Sequence, residues 1–239
     1  METLFTYRWL LGSLGCLLLP LLGIVGTRWH WWPYTPGLML LVAALGLAIL
    51  LLPLALWHRQ WLAALPPLLL LMLVFPFVLR GLTLPAIHDI STDTTEPPPL
   101  TAAARLRSAS DHSTDYEGEA LARRQAATWP TLGPLLLPYP PEQVHRQARG
   151  LIVQRGWALT ADTTADNERL LEAVVSSRLF GFRDDVAIRL TPVDTESGIH
   201  TDVHTDVHTK VDMRSASRVG KSDLGANAER IRAFLADLE

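Results

Sequence analysis

Three apolar stretches in the first 79 residues constrain this chain more than anything else in it. Residues 9–27, 37–56 and 61–79 are each about as long as a helix must be to cross the hydrocarbon of a bilayer. None of them contains an ionisable residue. Proton relays, substrate paths and voltage sensors keep charges inside the membrane, so this pattern argues for an anchor and against a transporter. Pro20, Pro53, Pro66, Pro67 and Pro76 lie within the stretches. Membrane helices tolerate such prolines as kinks. Tyr7, Trp9, Trp29, Trp31, Trp32, Tyr34, Trp57 and Trp61 bracket the stretches, at the depth where amphipathic rings settle.

The first stretch is not read as a cleaved signal peptide, because Thr27-Arg28-Trp29 is a poor small-residue cleavage site and two more spans follow. Orientation is finely balanced. With a cytoplasmic N-terminus, Arg8 and Arg59 lie inside and Arg28 and Arg80 outside. The terminal amine and the His58-Arg59 pair tip the count inward. Three crossings then place the polar remainder outside the cytoplasm.

That remainder, from about Leu84 onward, has ordinary soluble composition. The 49% hydrophobic share of the whole chain therefore averages two regimes. Its roughly 155 residues are enough for one domain with a real core. The net charge of −3 and the lack of a basic stripe exclude a nucleic-acid partner. The only cysteine, Cys16, lies in the first span, so no disulfide can form within one chain.

The expected organisation is a three-helix transmembrane anchor (1–83), a linker or wrapping segment (84–140) and an α+β soluble domain (141–239). Pro97-Pro98-Pro99 and Pro138-Tyr139-Pro140-Pro141 punctuate the middle segment. A helix should start at Pro141 and stop at Gly156, burying Val144, Ala148, Leu151 and Ile152. Strands are expected over Trp157–Thr163, Arg169–Ser177, Asp185–Leu190 and Thr205–Ser217. Leu170-Leu171-Glu172-Ala173 could equally be helical. A last helix should bury Leu224, Ala228, Ile231, Leu235 and Leu238, with Ser222 or Asp223 capping its start. This order gives an antiparallel sheet of about four strands covered by helices.

Three segments carry a resemblance: Ile87–Asp93, Arg178–Val186 (RLFGFRDDV) and Val211–Asn227 (VDMRSASRVGKSDLGAN). Together they resemble the family catalogued as domain of unknown function 1499, over about residues 85–239. The resemblance implies a bacterial protein, often exported or membrane-attached, with similar domains in photosynthetic lineages. It implies no known reaction and no family catalytic residues.

Several constellations invite chemistry. Gly220-Lys221-Ser222 follows a strand and opens a helix, but the phosphate-loop pattern needs a glycine where this chain has Ser215. A helix N-terminus still attracts anions. Arg214, Ser217, Arg218, Lys221, Ser222, Asp223 and Asn227 are therefore the candidate ligand-binding residues, for a small anionic ligand or lipid headgroup. His200, His204 and His208 recur in a tandem repeat, His-Thr-Asp-Val twice and then His-Thr-Lys-Val, and share one face of a strand. They are weak metal candidates, read first as solvated histidines on a lengthened hairpin. Asp184 and Asp185 are adjacent in a strand, so they point to opposite faces and form no acid/base dyad; salt bridges to Arg183, Arg189 or Arg214 explain them. Asp212 and Arg214 share a face, which suits cross-strand charge pairing. His88-Asp89 with Ser91 or Ser215 lacks the Gly-x-Ser-x-Gly elbow of a hydrolase.

The sequence therefore points to a multi-pass protein of the bacterial inner membrane with a periplasmic domain. It is expected to act as a non-enzymatic envelope binding or accessory module, with no cofactor. Its partners are the lipid bilayer and an envelope protein or anionic small ligand. The alternative is an enzyme of unrecognised type acting on an envelope or lipid-linked anionic substrate.

Overall fold

The computed structural model describes residues 2–165, 168–194 and 207–239. It divides into two compact units, Met1–Leu82 with Ser177–Gly181, and Thr83–Ser176 with Phe182–Glu239.

In the first unit α1 (Glu2–Arg28), α2 (Tyr34–Trp57) and α3 (Trp61–Thr83) are each long and apolar enough to cross a membrane. All five prolines of the spans sit inside these helices. Small residues bring α1 and α2 together, as membrane packing requires where lipid supplies no hydrophobic drive. A Cβ on Gly23 would fall 2.6 Å from the Gly37 carbonyl oxygen, so only glycine fits that crossing. Nearby, Cys16 is buried with Ala44, Ala48 and Leu70.

The second unit is built on a six-stranded antiparallel sheet. In chain order it contains β1 (Asp89–Ser91), α4 (Thr101–Leu106), α5 (Glu119–Thr128), β2 (Leu135–Leu137), α6 (Pro141–Gln154), β3 (Ala158–Ala165), β4 (Glu168–Ser176), β5 (Arg183–Asp194), β6 (Val207–Ser217) and α7 (Ala226–Leu238). The strand order is β1-β6-β5-β4-β3, and β2 also pairs with β6. The four long strands, α6 and α7 match the expected α+β layout. Leu170–Ala173 is strand, because β4 lies between β3 and β5 and its alternate residues face two covered surfaces.

Two strands go beyond the four expected. Asp89↔Ala216 and Leu135↔Val211 place β1 and β2 on the outer edge of β6. The segment 84–140 is therefore part of the sheet as well as a wrapping around it.

One face of the sheet carries the main core. Val144, Ala148 and Ile152 of α6 and Ala228, Ile231, Phe234 and Leu238 of α7 bury against Leu171, Val186, Ile188, Leu190, Val211 and Met213. Ile87, Ile90, Leu121, Trp129 and Leu137 from the wrapping segment complete it. Trp157 stacks on Phe234 at 5.4 Å. The opposite face has only a small apolar contact, Leu100 and Ala103 of the α4 region against Ala187 and Ala216.

Candidate functional site

Strand alternation sorts the polar residues of β5 and β6 onto two faces. Asp184, Ser215 and Ser217 join the face of α6 and α7. Asp185, Arg189, Asp212 and Arg214 face the wrapping segment. Paired carboxylates on neighbouring positions thus never meet, as alternation predicts.

The wrapped face is held by buried ion pairs. Arg214 donates to both oxygens of Asp89, at 3.0 Å from Nε and 2.7 Å from Nη2. It also donates to the Thr114 carbonyl, and its guanidinium lies 5.4 Å from the Tyr116 ring centre. Burial, reinforced by the Asp89 charge, pushes the Tyr116 phenol up to about 12 despite Arg214. Asp185 receives two arginines, Arg218 at 2.7 and 3.1 Å and Arg107 at 2.8 Å. Arg107 reaches on to the carbonyls of His112 and Ser113. Asp212 is fully buried between Arg189 (3.2 Å) and Lys210 (3.0 Å), which both also reach Asp93. Burial alone would raise the Asp93 carboxyl. The N–H groups of Glu96 and Thr95 and the Lys210 ammonium reverse that and hold it below the usual value. Glu172 of β4 accepts from the backbone N–H of Ala102 (2.8 Å) and Ala103 (3.2 Å), answering the open start of α4 across the fold.

The other face meets the start of α7. Asn227 accepts from Ser215 Oγ at 2.7 Å and donates to Ser217 Oγ and the His88 carbonyl, each at 3.0 Å. Arg230 donates to Asp184 at 2.5 Å and also reaches Asn227 and Ser215. The Asp223 carboxylate accepts from the N–H of Gly225 (2.9 Å) and Asn227 (2.7 Å). Its backbone carbonyl accepts from Ala226, and Ser222 Oγ accepts from Leu224. The electropositive end of this helix is therefore answered by its own leading loop. Burial, with Asp184 nearby, pushes the Asp223 carboxyl above its usual value. Gly225 suits its place because its φ is +84°, a conformation that other residues rarely adopt.

Of the seven candidate residues, the fold brings Ser217 and Asn227 into direct contact and gives Arg214, Arg218, Ser222 and Asp223 partners within the domain. Lys221 alone is exposed. His88 stacks on His112 at 4.0 Å, while Asp89 holds Arg214, Ser91 donates to the Asp93 carbonyl and Ser215 donates to Asn227. His112 in turn lies 3.0 Å from the Gly220 carbonyl. His208 lies in β6, half-buried, opposite Val193. His200 and His204 fall outside the described residues. Among the described residues no group of three or more His, Cys, Asp or Glu side chains converges as metal ligands.

A groove of about 220 Å³ runs between α4 and β3, lined by Thr101, Ala102, Arg105, Leu106, Thr160, Ala161 and Thr163. Nothing in the sequence marks it, because its two sides lie far apart in the chain. Arg107, Asp93, Glu172 and Arg230 were equally invisible. Their partners depend on strand register.

A family model matches residues 89–238, from the first residue of β1 to the last of α7. The chain belongs to the family described as Protein of unknown function (DUF1499). The match covers every buried ion pair above. No curated protein matches the chain.

Proposed function

We propose that this DUF1499 protein is a non-enzymatic accessory module of the bacterial cell envelope. Three helices tether its α+β domain to the inner membrane on the periplasmic side, where the domain binds an envelope partner. One observation carries the reading. The reactive-looking side chains gathered by β5, β6 and α7 are used as structural partners. Arg214 is bound to Asp89, Arg218 to Asp185, and Asp223 to the start of α7. Groups held this way build a rigid scaffold, and recognition is left to its surface.

The test joins topology to complementation. A phosphatase fused after Glu239 should be active and a cytoplasm-dependent reporter silent. In a deletion strain, Lys221→Ala and Ser222→Ala should complement normally, whereas Asp89→Ala should fail through loss of folded protein. Substrate turnover by the purified chain, abolished by one surface polar substitution without loss of folding, would overturn the non-enzymatic reading. An inactive phosphatase with an active cytoplasmic reporter would overturn the orientation.

A further inference from the structure

β3 is the open end of the sheet. Among the described residues its only strand partner is β4. Alternate residues of β3 therefore turn their N–H and C=O groups away from β4, to the unpaired side. No residue of β3 is buried. Natural edges are usually guarded by proline, lysine or a free charge. The strand Ala158–Ala165 (ALTADTTA) has neither proline nor lysine. Its one charged residue, Asp162, is drawn onto α6 by His145 at 2.8 Å and Arg149 at 3.5 Å.

Both flanks of this edge offer the same two kinds of contact. On one flank lies the groove beside α4. Leu159 pairs with Ala173 and Ala161 with Glu172, so Thr160 is an extra residue that bulges the strand. Thr160 and Ala161 both line the groove as a result, together with Thr163. Across it stand Arg105 and Leu106, both exposed, Leu106 at 51%. On the other flank, Glu142, Arg146, Arg149 and Val153 follow one another four, three and four residues apart, along one side of α6. Glu142 reaches Arg169 of β4 and Arg149 reaches Asp162, so this side of α6 overlooks β4 and β3. Val153 is 69% exposed.

The acidic side chains described around the edge are already engaged. Glu142 is held by Arg169 at 2.7 Å and Asp162 by α6. Glu168 accepts from Thr191 at 2.9 Å, and Glu172 is buried on the start of α4. Arg105 and Arg146 form no ion pair among the described residues. The unmet charge on both flanks is therefore positive. A second copy of the chain suits this edge poorly. Antiparallel pairing of β3 with itself would set Arg105 with Arg105 on one face and Arg146 with Arg146 on the other, like charge against like.

We propose that β3 and the groove beside it dock an extended acidic segment of another protein. The segment adds to the sheet as a further strand, bonded through its backbone to the open side of β3. Its alternate side chains fall on the two flanks. Carboxylates on one face meet Arg105 and the hydroxyls of Thr160 and Thr163, and those on the other meet Arg146. Aliphatic side chains cover Leu106 and Val153. The inference rests on the accessory-module reading for there being a partner, and gives that partner a surface and a chemistry.

The experiment uses the full chain in phosphatidylcholine nanodiscs and a fluorescent peptide of two Glu-Glu-Val-Val repeats, which places both residue types on each face of a strand. Anisotropy should show saturable binding. The Arg105→Glu/Arg146→Glu variant changes two exposed residues and should keep its melting temperature while binding at least about tenfold more weakly. A Lys-Lys-Val-Val analogue should not bind. N-methylating the four central amides of the acidic peptide should abolish binding, which tests the backbone contact without altering the protein. A benzophenone on the peptide should cross-link within residues 101–106 or 158–165. No saturable binding below about 1 mM would overturn the proposal. So would undiminished binding by the double variant or of the N-methylated peptide, or cross-links confined to other residues. Ready disulfide dimers of a Cys16→Ala/Thr160→Cys chain in detergent would overturn it in favour of a second copy. The turnover and topology tests of the accessory-module reading are separate from all of these.

Discussion

Asp184 and Asp185 share a peptide bond and have opposite fates. Asp184 meets Arg230 beneath α7, and Asp185 meets Arg107 and Arg218 on the wrapped face. Removing one partner of such a pair strands a buried charge. Arg214→Ala or Asp89→Ala should each cost about 3–5 kcal/mol in chemical unfolding. An Asp89→Leu/Arg214→Met double variant should recover most of that loss, because no lone charge remains. His88 gives a pH signature. Burial first, then His112 and Arg107, lower its pKa, against the pull of Glu117 and Asp89. The folded state therefore binds the proton less tightly than the unfolded chain. The resulting penalty is absent above about pH 6.5 and grows as the pH falls toward the folded value. Melting temperature should drop across that window, and His88→Gln should flatten the drop. The opposite faces of Asp184 and Asp185 and the shared face of Asp212 and Arg214 were legible from alternation. The partners Arg230, Arg107 and Arg218 were not, because register and wrapping decide them. Of the expected partners, Arg189 binds Asp93 and Asp212 instead, and Arg214 binds Asp89.

At the scale of elements, α1–α3, α6, α7 and the four long strands followed from the sequence pattern. α4, β1 and β2 did not. Asp89-Ile90-Ser91 and Leu135-Leu136-Leu137 are too short to show a period, and only the outer edge of β6 makes them strands. The start of α7 was readable, since Asp223 does accept from the first turn. Asp223→Ala should destabilise the domain by about 1–2 kcal/mol in thermal melts, the usual cost of a lost helix cap. In the anchor, the close approach of Gly23 and Gly37 makes a sharper forecast. Gly23→Val should part α1 from α2 and yield detergent-solubilised protein with a broadened or earlier transition, whereas Gly12→Val, where a Cβ meets nothing within 4 Å, should be silent.

For the whole molecule, the boundary expected at residue 141 has a physical test. Ile87, Ile90, Leu121, Trp129 and Leu137 are core residues contributed from before it. A fragment of residues 141–239 should lack a cooperative unfolding transition, and one of residues 83–239 should show one, measured by circular dichroism. The edge of β6 that receives β1 and β2 also sets a timetable. Residues 89–137 leave the ribosome long before their partner strand at 207–217 has been made. They must wait, apolar side chains unburied, until nearly the whole chain exists. The sheet therefore cannot close during synthesis from its N-terminal side, and contacts this distant in sequence are slow to form. A stop codon anywhere before Val207 would remove the last strand and at the same time leave the first two with nothing to pair with.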